Sequence, residues 1–212
     1  GTAYMCFLEG LNKAYMAVSK DKGLTWSEPV ELGKGLGLKH AIFTQAIAGD
    51  PDRAACGFLG TTAEGNTTAL DFKGSWFLFI ASTFDGGKTY TTVNATPNDP
   101  VQGDGGIWDG GGGNYNRNLL DFNEMTLDEN GYVIYGFADG CIGACVNDPT
   151  SNSFSAFPKM ARQVAGKSLY ARPGESTLNT PAPACLAGER TLERSFLRWR
   201  EPENGGGAIS NY

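Results

Sequence analysis

Seven short apolar runs constrain the fold of this chain more than any other feature of its sequence. Each run has the length of a β-strand, is continuously apolar or alternates, and is bounded by Gly, Asn, Asp or Pro. No stretch combines a 3.6-residue apolar period with capping residues at both ends. The sequence therefore predicts an all-β, antiparallel fold with short connections. The runs are residues 3–8, 14–18, 42–48, 54–59, 76–81, 132–137 and 159–164.

The composition supports this interpretation and excludes several classes of protein. The 212 residues include 30 Gly, 12 Phe and 8 Tyr, and Gly costs about 1 kcal/mol at a helix-interior position, which excludes a long helical protein. The formal charge of −6 argues against nucleic acid or an anionic membrane as a partner. No apolar run reaches the roughly 18 residues that a membrane-spanning helix needs, so we expect no membrane span.

One octapeptide pattern occurs twice, at residues 19–26 and 83–90, each time after an apolar run. Its order is hydroxyl, any residue, Asp, any residue, Gly, any residue, Thr, aromatic. In such a turn the Asp carboxylate accepts backbone N–H groups and the Gly adopts a positive φ. We expect the aromatic ring to pack into the sheet. The positions that the pattern fixes are Ser19, Asp21, Gly23, Thr25 and Trp26 in the first copy, and Thr83, Asp85, Gly87, Thr89 and Tyr90 in the second.

These octapeptides resemble the Asp-box, the bacterial neuraminidase repeat of sialidase-like β-propellers. Residues 48–62, 81–90, 117–122 and 136–141 are also similar to secreted bacterial proteins of the exo-α-sialidase-like type, so the resemblance covers about residues 3–170. It implies an extracellular propeller that engages glycans and, in the full-length protein, exo-glycosidase activity. The Asp-box also occurs in propellers that are not sialidases, so the resemblance is more specific for architecture than for activity.

The two boxes begin 64 residues apart, at 19 and 83, whereas one four-stranded blade takes about 40–50 residues. We assign the excess to an insertion at residues 63–74, and place a second insertion at 98–118. A third blade then runs from 121 to 164 without a box. About three blades result, and because a propeller ring needs four to eight, a missing part or other chains, including further copies, are expected to complete it.

The predicted domains are the propeller portion at 1–172, a Pro-containing linker at 173–183, and a segment at 184–212. The last segment resembles the beginning of a fibronectin type III domain, of which it contains about 30 of roughly 100 residues. Both ends therefore suggest a fragment of a larger secreted protein.

The sialidase resemblance implies three arginines that hold a substrate carboxylate, a Tyr nucleophile assisted by a Glu, and an Asp acid/base. A guanidinium group binds a carboxylate with two parallel hydrogen bonds, which is why Arg serves there. The element that brings the first arginine is absent, so the catalytic set is incomplete, no catalytic residue is assigned and enzymatic activity stays open. The candidate substrate-binding residues are Arg117, Asp121, Glu124, Tyr135 and Asp139.

Each candidate has a structural alternative. The structural alternative for Arg117 is an ion pair that ties the Gly-rich loop to its blade. Tyr135 alternates with apolar residues and fits a packed aromatic, and Asp139 precedes Gly140 and fits a turn-capping carboxylate. Arg53 lies in a predicted turn, where we expect a surface or turn contact, and His40 is expected at a strand edge without a catalytic role.

Five cysteines leave at least one unpaired. Cys141 and Cys145 lie in a turn-rich segment and are candidates for a disulfide, which would favour an extracellular location. A zinc half-site is the alternative, although His40 is the only histidine. We expect Cys6 and Cys56, which alternate with apolar neighbours, to be small core residues.

The second insertion contains Asp99, Asp104 and Asp109, whose oxygens suit Ca²⁺, and Asp104 and Asp109 are the candidate ligands that we retain. Their spacing is not that of an EF-hand, and a solvated flexible loop is the alternative. No other cofactor is expected.

Three functions remain for such a chain. The first is glycan engagement by an extracellular sialidase-like propeller. The second is a non-catalytic surface, adhesive or filament-associated protein that uses the propeller as an interaction scaffold, and the third is a structural stalk component. Fold does not decide between them, because function depends on the site.

Overall fold

The computed structural model describes residues 1–9 and 13–171, together with the backbone of 199–200. Within these residues the chain is all-β, with 38% of residues in strands and 4% in helical turns. The strands form three antiparallel sheets, none of them closed. The prediction of an all-β, antiparallel fold is confirmed.

Each sheet is a meander whose strands are neighbours in chain order. The first sheet contains β1 (Ala3–Glu9), β2 (Lys13–Ser19) and β3 (Val30–Glu31). The second contains β4 (His40–Ala48), β5 (Ala54–Thr61), β6 (Phe77–Thr83) and β7 (Thr91–Asn94). The third contains β8 (Glu124–Leu127), β9 (Val133–Asp139), β10 (Phe157–Gln163) and β11 (Trp199–Arg200), and two 3-10 turns, Gly143–Val146 and Pro149–Ser151, lie between β9 and β10. The first sheet thus has three described strands where four were expected.

The second sheet lies between the other two, which explains why all eight residues of β5 are buried. Alternate side chains of β5 enter opposite cores: Phe58 packs in a cluster with Met16 of the first sheet, and Leu59 in a cluster with Tyr135 of the third. Gly57 is required here, because a Cβ at this position would lie 2.3 Å from the ring of Tyr135. The two cores therefore join three sheets into one stack.

The first strands of the three sheets lie side by side. β1 packs against β4, and β4 packs against β8. The β4–β5 pairing is irregular between Ile42 and Gln45, and Phe43 adopts a φ of 58°. Such a bulge redirects side chains and backbone groups locally, and here it shapes one wall of the site described below.

Two disulfide bonds are present among the described residues. Cys141 is bonded to Cys145, with Cα atoms 5.1 Å apart, and closes a small loop after β9. Cys6 of β1 is bonded to Cys56 of β5, with Cα atoms 6.0 Å apart. Cys56 lies in the core between the first and second sheets and Cys6 packs against it, as expected of core residues. Their bond was not expected, and it links the first sheet to the second. The fifth cysteine, Cys185, lies outside the described residues.

The second insertion is not a solvated loop throughout. Val101, Gln102 and Ile107 are buried, whereas residues 111–115 are exposed. The Gln102 amide exchanges two hydrogen bonds with Asn118, of 2.9 and 3.1 Å. This part of the chain thus fills the core between the loops of the second and third sheets.

Arg53 is also buried, contrary to the surface contact expected from sequence. Its guanidinium donates to the carbonyl oxygen of Ser168 at 2.8 Å and lies 5.8 Å from the ring centre of Phe84. It therefore ties the second sheet to the segment that follows β10.

The fibronectin-like segment and the linker lie outside the described residues, apart from β11. The backbone of Trp199 and Arg200 pairs with Gln163 and Arg162, so these two residues form the outer strand of the third sheet. Within the described part of the chain, no helix has the length and apolar character needed to cross a membrane.

Candidate functional site

A cleft of about 390 Å³ opens where the first strands of the sheets meet the exposed part of the second insertion. The end of β1 and the bulge of β4 form one side of it. Residues 108–111 and 117–121 form the other side. The side chains that give the cleft its chemistry are Phe43, Trp108, Asp109, Arg117 and Asp121.

Backbone and side-chain hydrogen bonds fix the insertion in this position. The Trp108 N–H donates to the Asn116 carbonyl oxygen at 2.9 Å, and its indole Nε1 donates to the Gly111 carbonyl oxygen at 3.1 Å. Arg117 Nε donates to the Gly110 carbonyl oxygen at 2.9 Å. The loop thus holds an indole ring and a guanidinium group at the same opening.

Arg117 and Asp121, two of the five predicted residues, therefore line one cleft. Both are exposed, as is Asp109, whereas Trp108 is half-buried. Two carboxylates can accept hydroxyl groups, the guanidinium can donate to oxygens, and the indole offers a flat apolar face. This combination suits a ligand that carries several hydroxyl groups around a small apolar face.

Tyr135 lies beneath the cleft rather than in it. The side chain is completely buried, and its hydroxyl donates to the Phe43 carbonyl oxygen at 3.3 Å. Burial raises the pKa of the phenol, and the nearby charge of Glu124 raises it further. Tyr135 is thus a packed aromatic that supports the cleft, and its hydroxyl is not presented to a ligand there.

Glu124 is not brought into the cleft. It lines a separate groove of about 440 Å³ on the outer face of the third sheet, between β8 and β10. This groove is mostly apolar, and two side chains on it are largely exposed, Phe122 at 75% and Met160 at 66%.

Asp139 is buried at the end of β9, where it contacts Lys159 of β10 in an ion pair. Its other carboxylate oxygen, Oδ1, accepts the Cys141 N–H at 2.9 Å, as expected of a turn-capping carboxylate. Burial raises the pKa of Asp139 to about 6 despite the ion pair. Asp139 therefore belongs to a buried charged cluster and not to the cleft.

The three aspartates of the insertion do not converge. The Asp99 carboxylate lies 2.6 Å from Nζ of Lys159, and the Asp104 carboxylate lies 3.0 Å from Nζ of Lys73. Asp109 lines the cleft. Among the residues that the structure describes, no three His, Cys, Asp or Glu side chains come close enough to hold a metal ion. The described residues therefore do not form the calcium site that was suggested for Asp104 and Asp109.

The residues predicted as Asp-boxes form two turns that share a set of hydrogen bonds. Asp21 accepts the Thr25 N–H at 2.9 Å and the Thr25 hydroxyl at 2.6 Å, and Asp85 accepts the same groups of Thr89 at 3.0 and 2.6 Å. The hydrogen bonds from Thr25 lower the pKa of Asp21 to about 2. Both carboxylates are thus engaged within their own turns.

The same two turns include the other predicted positions. The Ser19 and Thr83 hydroxyls donate to the Asp carboxylates at 2.8 and 2.9 Å and accept the N–H groups of Gly23 and Gly87. The aromatic positions differ, because Trp26 is 41% exposed whereas Tyr90 packs against the core between the first and second sheets. The expected insertion of the ring into the sheet is therefore seen for Tyr90 and only in part for Trp26.

Sequence reasoning missed Trp108 and Lys159. Trp108 stands beside Asp109 at the start of a Gly-rich stretch, so an aromatic residue entering an exposed loop was a signal for a binding surface. Lys159 has the apolar neighbours Pro158 and Met160 at the start of β10, and a charge between apolar residues was a signal for a buried partner.

Comparison of the chain with family models, with curated proteins and with solved structures found no match.

Proposed function

We propose that this chain is a portion of a sialidase-like β-propeller of an extracellular protein, and that the cleft beside Trp108 binds a glycan. The observation that carries the proposal is the convergence of Trp108, Arg117 and Asp121 where the first strands of the sheets meet.

Three features support the propeller architecture. The sheets are consecutive antiparallel meanders, their first strands pack side by side, and the two Asp-box turns have matching hydrogen bonds. In a propeller the first strand of each blade lies at the central axis, so a loop that enters there lines the mouth of the ring. The cleft lies beside the first strands of the first and second sheets, which supports this interpretation.

The chemistry of the cleft supports a sugar as its ligand. The indole of Trp108 provides a face for the C–H groups of a pyranose ring, and Asp109 and Asp121 accept from hydroxyl groups. Arg117 is suited to a sugar carboxylate, which a sialic acid carries.

Titration calorimetry with 3′-sialyllactose and with lactose tests the proposal. We expect the chain to bind at least one of them, and Trp108→Ala to weaken binding about tenfold or more, because loss of a stacking contact costs about 1–3 kcal/mol. If Arg117 holds the carboxylate, Arg117→Ala weakens binding of sialyllactose more than that of lactose. Phe122→Ala is the matched control, because Phe122 is an exposed aromatic outside the cleft.

Absence of binding to both sugars, with the chain folded by circular dichroism, would contradict the glycan proposal. Equal loss of affinity in the Trp108 and Phe122 variants would place the ligand elsewhere.

We assign glycoside cleavage, if it occurs, to the full-length protein. Of the arginines among the described residues, Arg117 alone lines the cleft, since Arg53 is buried and Arg162 pairs with Asp128 at 2.6 Å. The phenol of Tyr135 is also withheld from the cleft. Sialoside hydrolysis by this chain alone would contradict this assignment.

A second candidate function is a non-catalytic scaffold, which the apolar groove of the third sheet favours. The exposed Phe122 and Met160 lie on the outer face of the last described sheet, where a further blade would pack if other chains or further copies complete the ring. Sedimentation of the folded chain distinguishes the two: a stable oligomer that Met160→Glu disrupts favours the scaffold, and a monomer argues against completion by further copies.

An extracellular location is part of the proposal. Two disulfides among the described residues support an oxidising compartment. A Cys6→Ser variant is expected to unfold at a lower temperature than the native chain. Reduction of the native chain is expected to lower the unfolding temperature at least as much, because it breaks both disulfides.

A further inference from the structure

Lys159 lies on the inward face of the third sheet, between the carboxylates of Asp99 and Asp139. Its Nζ contacts Asp139 and lies 2.6 Å from Oδ2 of Asp99. The side chains of Lys159, Asp99 and Asp139 are 9%, 14% and 1% exposed. One cation is thus largely enclosed with two anions.

The strands fix this arrangement. Across the β9–β10 ladder, Lys159 pairs with Phe137, and Asp139 pairs with Phe157. Lys159 and Asp139 are therefore diagonal neighbours, and both project from the inward face of the sheet. The Asp139 carboxyl is oriented further by the Cys141 N–H, which donates to Oδ1 at 2.9 Å. Cys141 is itself held by its disulfide to Cys145. Amine and carboxyl are therefore kept in contact by rigid parts of the fold.

We propose that Lys159 and Asp139 become joined by an intramolecular amide bond between Nζ and Cγ, formed within the folded chain with loss of one water. Contact between an amine and a carboxyl group held by the fold replaces an encounter in solution, and well-oriented groups react with effective concentrations on the order of 10⁵ M or more. The product removes two opposite charges from the protein interior and leaves the Asp99 carboxylate, whose side chain is 14% exposed, as the remaining charge of the cluster.

The three residues and the Cys141 N–H have separate roles in this reaction. Asp99 takes a proton from the Lys159 ammonium and passes it to Oδ2 of Asp139, and the resulting amine attacks Cγ of the neutral carboxyl. Oδ1 becomes the amide oxygen and keeps the hydrogen bond from Cys141, which stabilises the negative charge that develops on it. Oδ2 receives the proton from Asp99 and a second proton from the attacking nitrogen, and leaves as water.

The balance is complete without an external reactant. The ammonium brings three protons, of which one stays on the amide nitrogen and two leave with Oδ2, and Asp99 ends as it began. Burial raises the pKa of Asp139 to about 6, so its carboxyl takes up the proton more readily. For Lys159, burial works to lower the pKa, but the two carboxylates outweigh it and the pKa is raised, so loss of the ammonium proton is the demanding step of the route.

Intact mass of the reduced, denatured 212-residue chain tests the proposal. We expect a mass lower than that of the sequence by one water, and a branched peptide that joins Lys159 to Asp139 after proteolysis and tandem mass spectrometry. A mass equal to that of the sequence would overturn the proposal.

The Lys159→Arg variant is the control for other losses of water. Asp139 precedes Gly140, and an Asp–Gly pair can lose water by cyclising on its own backbone. Such a loss persists in Lys159→Arg, whereas the proposed bond does not form, because a guanidinium stays protonated. A loss of water that persists in this variant, without a branched peptide in the native chain, would contradict the proposal.

The Asp99→Asn variant tests the proton transfer. We expect it to fold and to lose water on the order of a hundredfold more slowly after refolding, as for removal of a general base. An unchanged rate would overturn the role given to Asp99. If either variant fails to fold, the presence or absence of the branched peptide in the native chain still decides the proposal.

Discussion

The two predicted Asp-box turns follow one residue pattern and share four internal hydrogen bonds, and Asp85 accepts one more, from the Lys88 N–H, yet their surroundings differ. A Cβ at Gly87 would lie 2.4 Å from Val18 Cγ2, whereas one at Gly23 would meet only the Trp26 ring, at 4.0 Å. Tyr90 packs against the core between the first two sheets, and Trp26 is 41% exposed. The local pattern determines the turn, and the packing of the next sheet determines how much that turn contributes to stability.

The largest difference in stability loss between the two turns is expected at the aromatic position. Tyr90→Ala should lower the free energy of unfolding by about 3 kcal/mol, because it opens a cavity in the core, and Trp26→Ala by about 1 kcal/mol. Denaturant unfolding of both variants measures the difference. Tyr90→Phe is the matched control, and we expect it to retain stability, because the Tyr90 hydroxyl is buried without a hydrogen-bond partner among the described residues. Equal losses at Tyr90 and Trp26 would contradict the comparison.

Substitution of the glycines is expected to give a smaller difference in stability loss between the two turns. Both have a positive φ, 84° at Gly87 and 89° at Gly23, so both Ala variants acquire backbone strain of about 1 kcal/mol. Gly87→Ala also collides with Val18, which should raise its loss to about 2 kcal/mol. Thermal unfolding of the pair tests this, and a larger loss for Gly23→Ala would show that the first turn is the more constrained.

At the carboxylates the difference is smaller still. Asp85→Ala should lower the free energy of unfolding by about 1 kcal/mol. The expected loss is small because the turn is partly exposed to solvent. Asp21 is more exposed, so Asp21→Ala should lower the melting temperature less than Asp85→Ala does. Unchanged unfolding of Asp85→Ala would argue against the Asp-box assignment itself.

The smallest effect is on the pH dependence. Burial works to raise the pKa of Asp85, but the hydrogen bonds from Thr89, Thr83 and Lys88 outweigh it, and the pKa is lowered. The pKa of Asp21 is lowered to about 2 by the hydrogen bonds from Thr25. A pKa that is lower in the folded state stabilises the fold above the unfolded value near 3.8, and this stability is lost as the pH falls toward 2.

Unfolding between pH 5 and pH 2 checks this sign. The native chain should lose stability through this range, and Asp21→Asn and Asp85→Asn should each lose less. A native chain that becomes more stable as the pH falls through this range would contradict the assigned hydrogen bonds.

The sequence allowed the all-β class and the long strands to be predicted, because buried apolar runs are visible locally. It did not allow β3, β7 and β8 to be predicted, since these strands are short or mostly polar and are stabilised by pairing with a neighbour. Strand pairing of this kind is a tertiary property that a local pattern does not contain.

The site was predictable in part for the same reason. Arg117 and Asp121 follow a Gly-rich loop, which is a local feature of the sequence, and both line the cleft, although residues 119–122 form a turn and not the strand start expected there. The partners of Cys6 and Asp139 come from elsewhere in the chain, Cys56 and Lys159, and no local pattern indicates them. Long-range pairs of this kind explain most of what the sequence did not reveal.

The glycan cleft is the central claim, and a crystal structure of the folded chain with bound sialyllactose tests it most directly. The account predicts a sugar ring against Trp108, with its hydroxyl or carboxylate groups within hydrogen-bond distance of Arg117 and Asp121. A sugar bound at another surface, with this cleft filled only by water at saturating ligand, would contradict it.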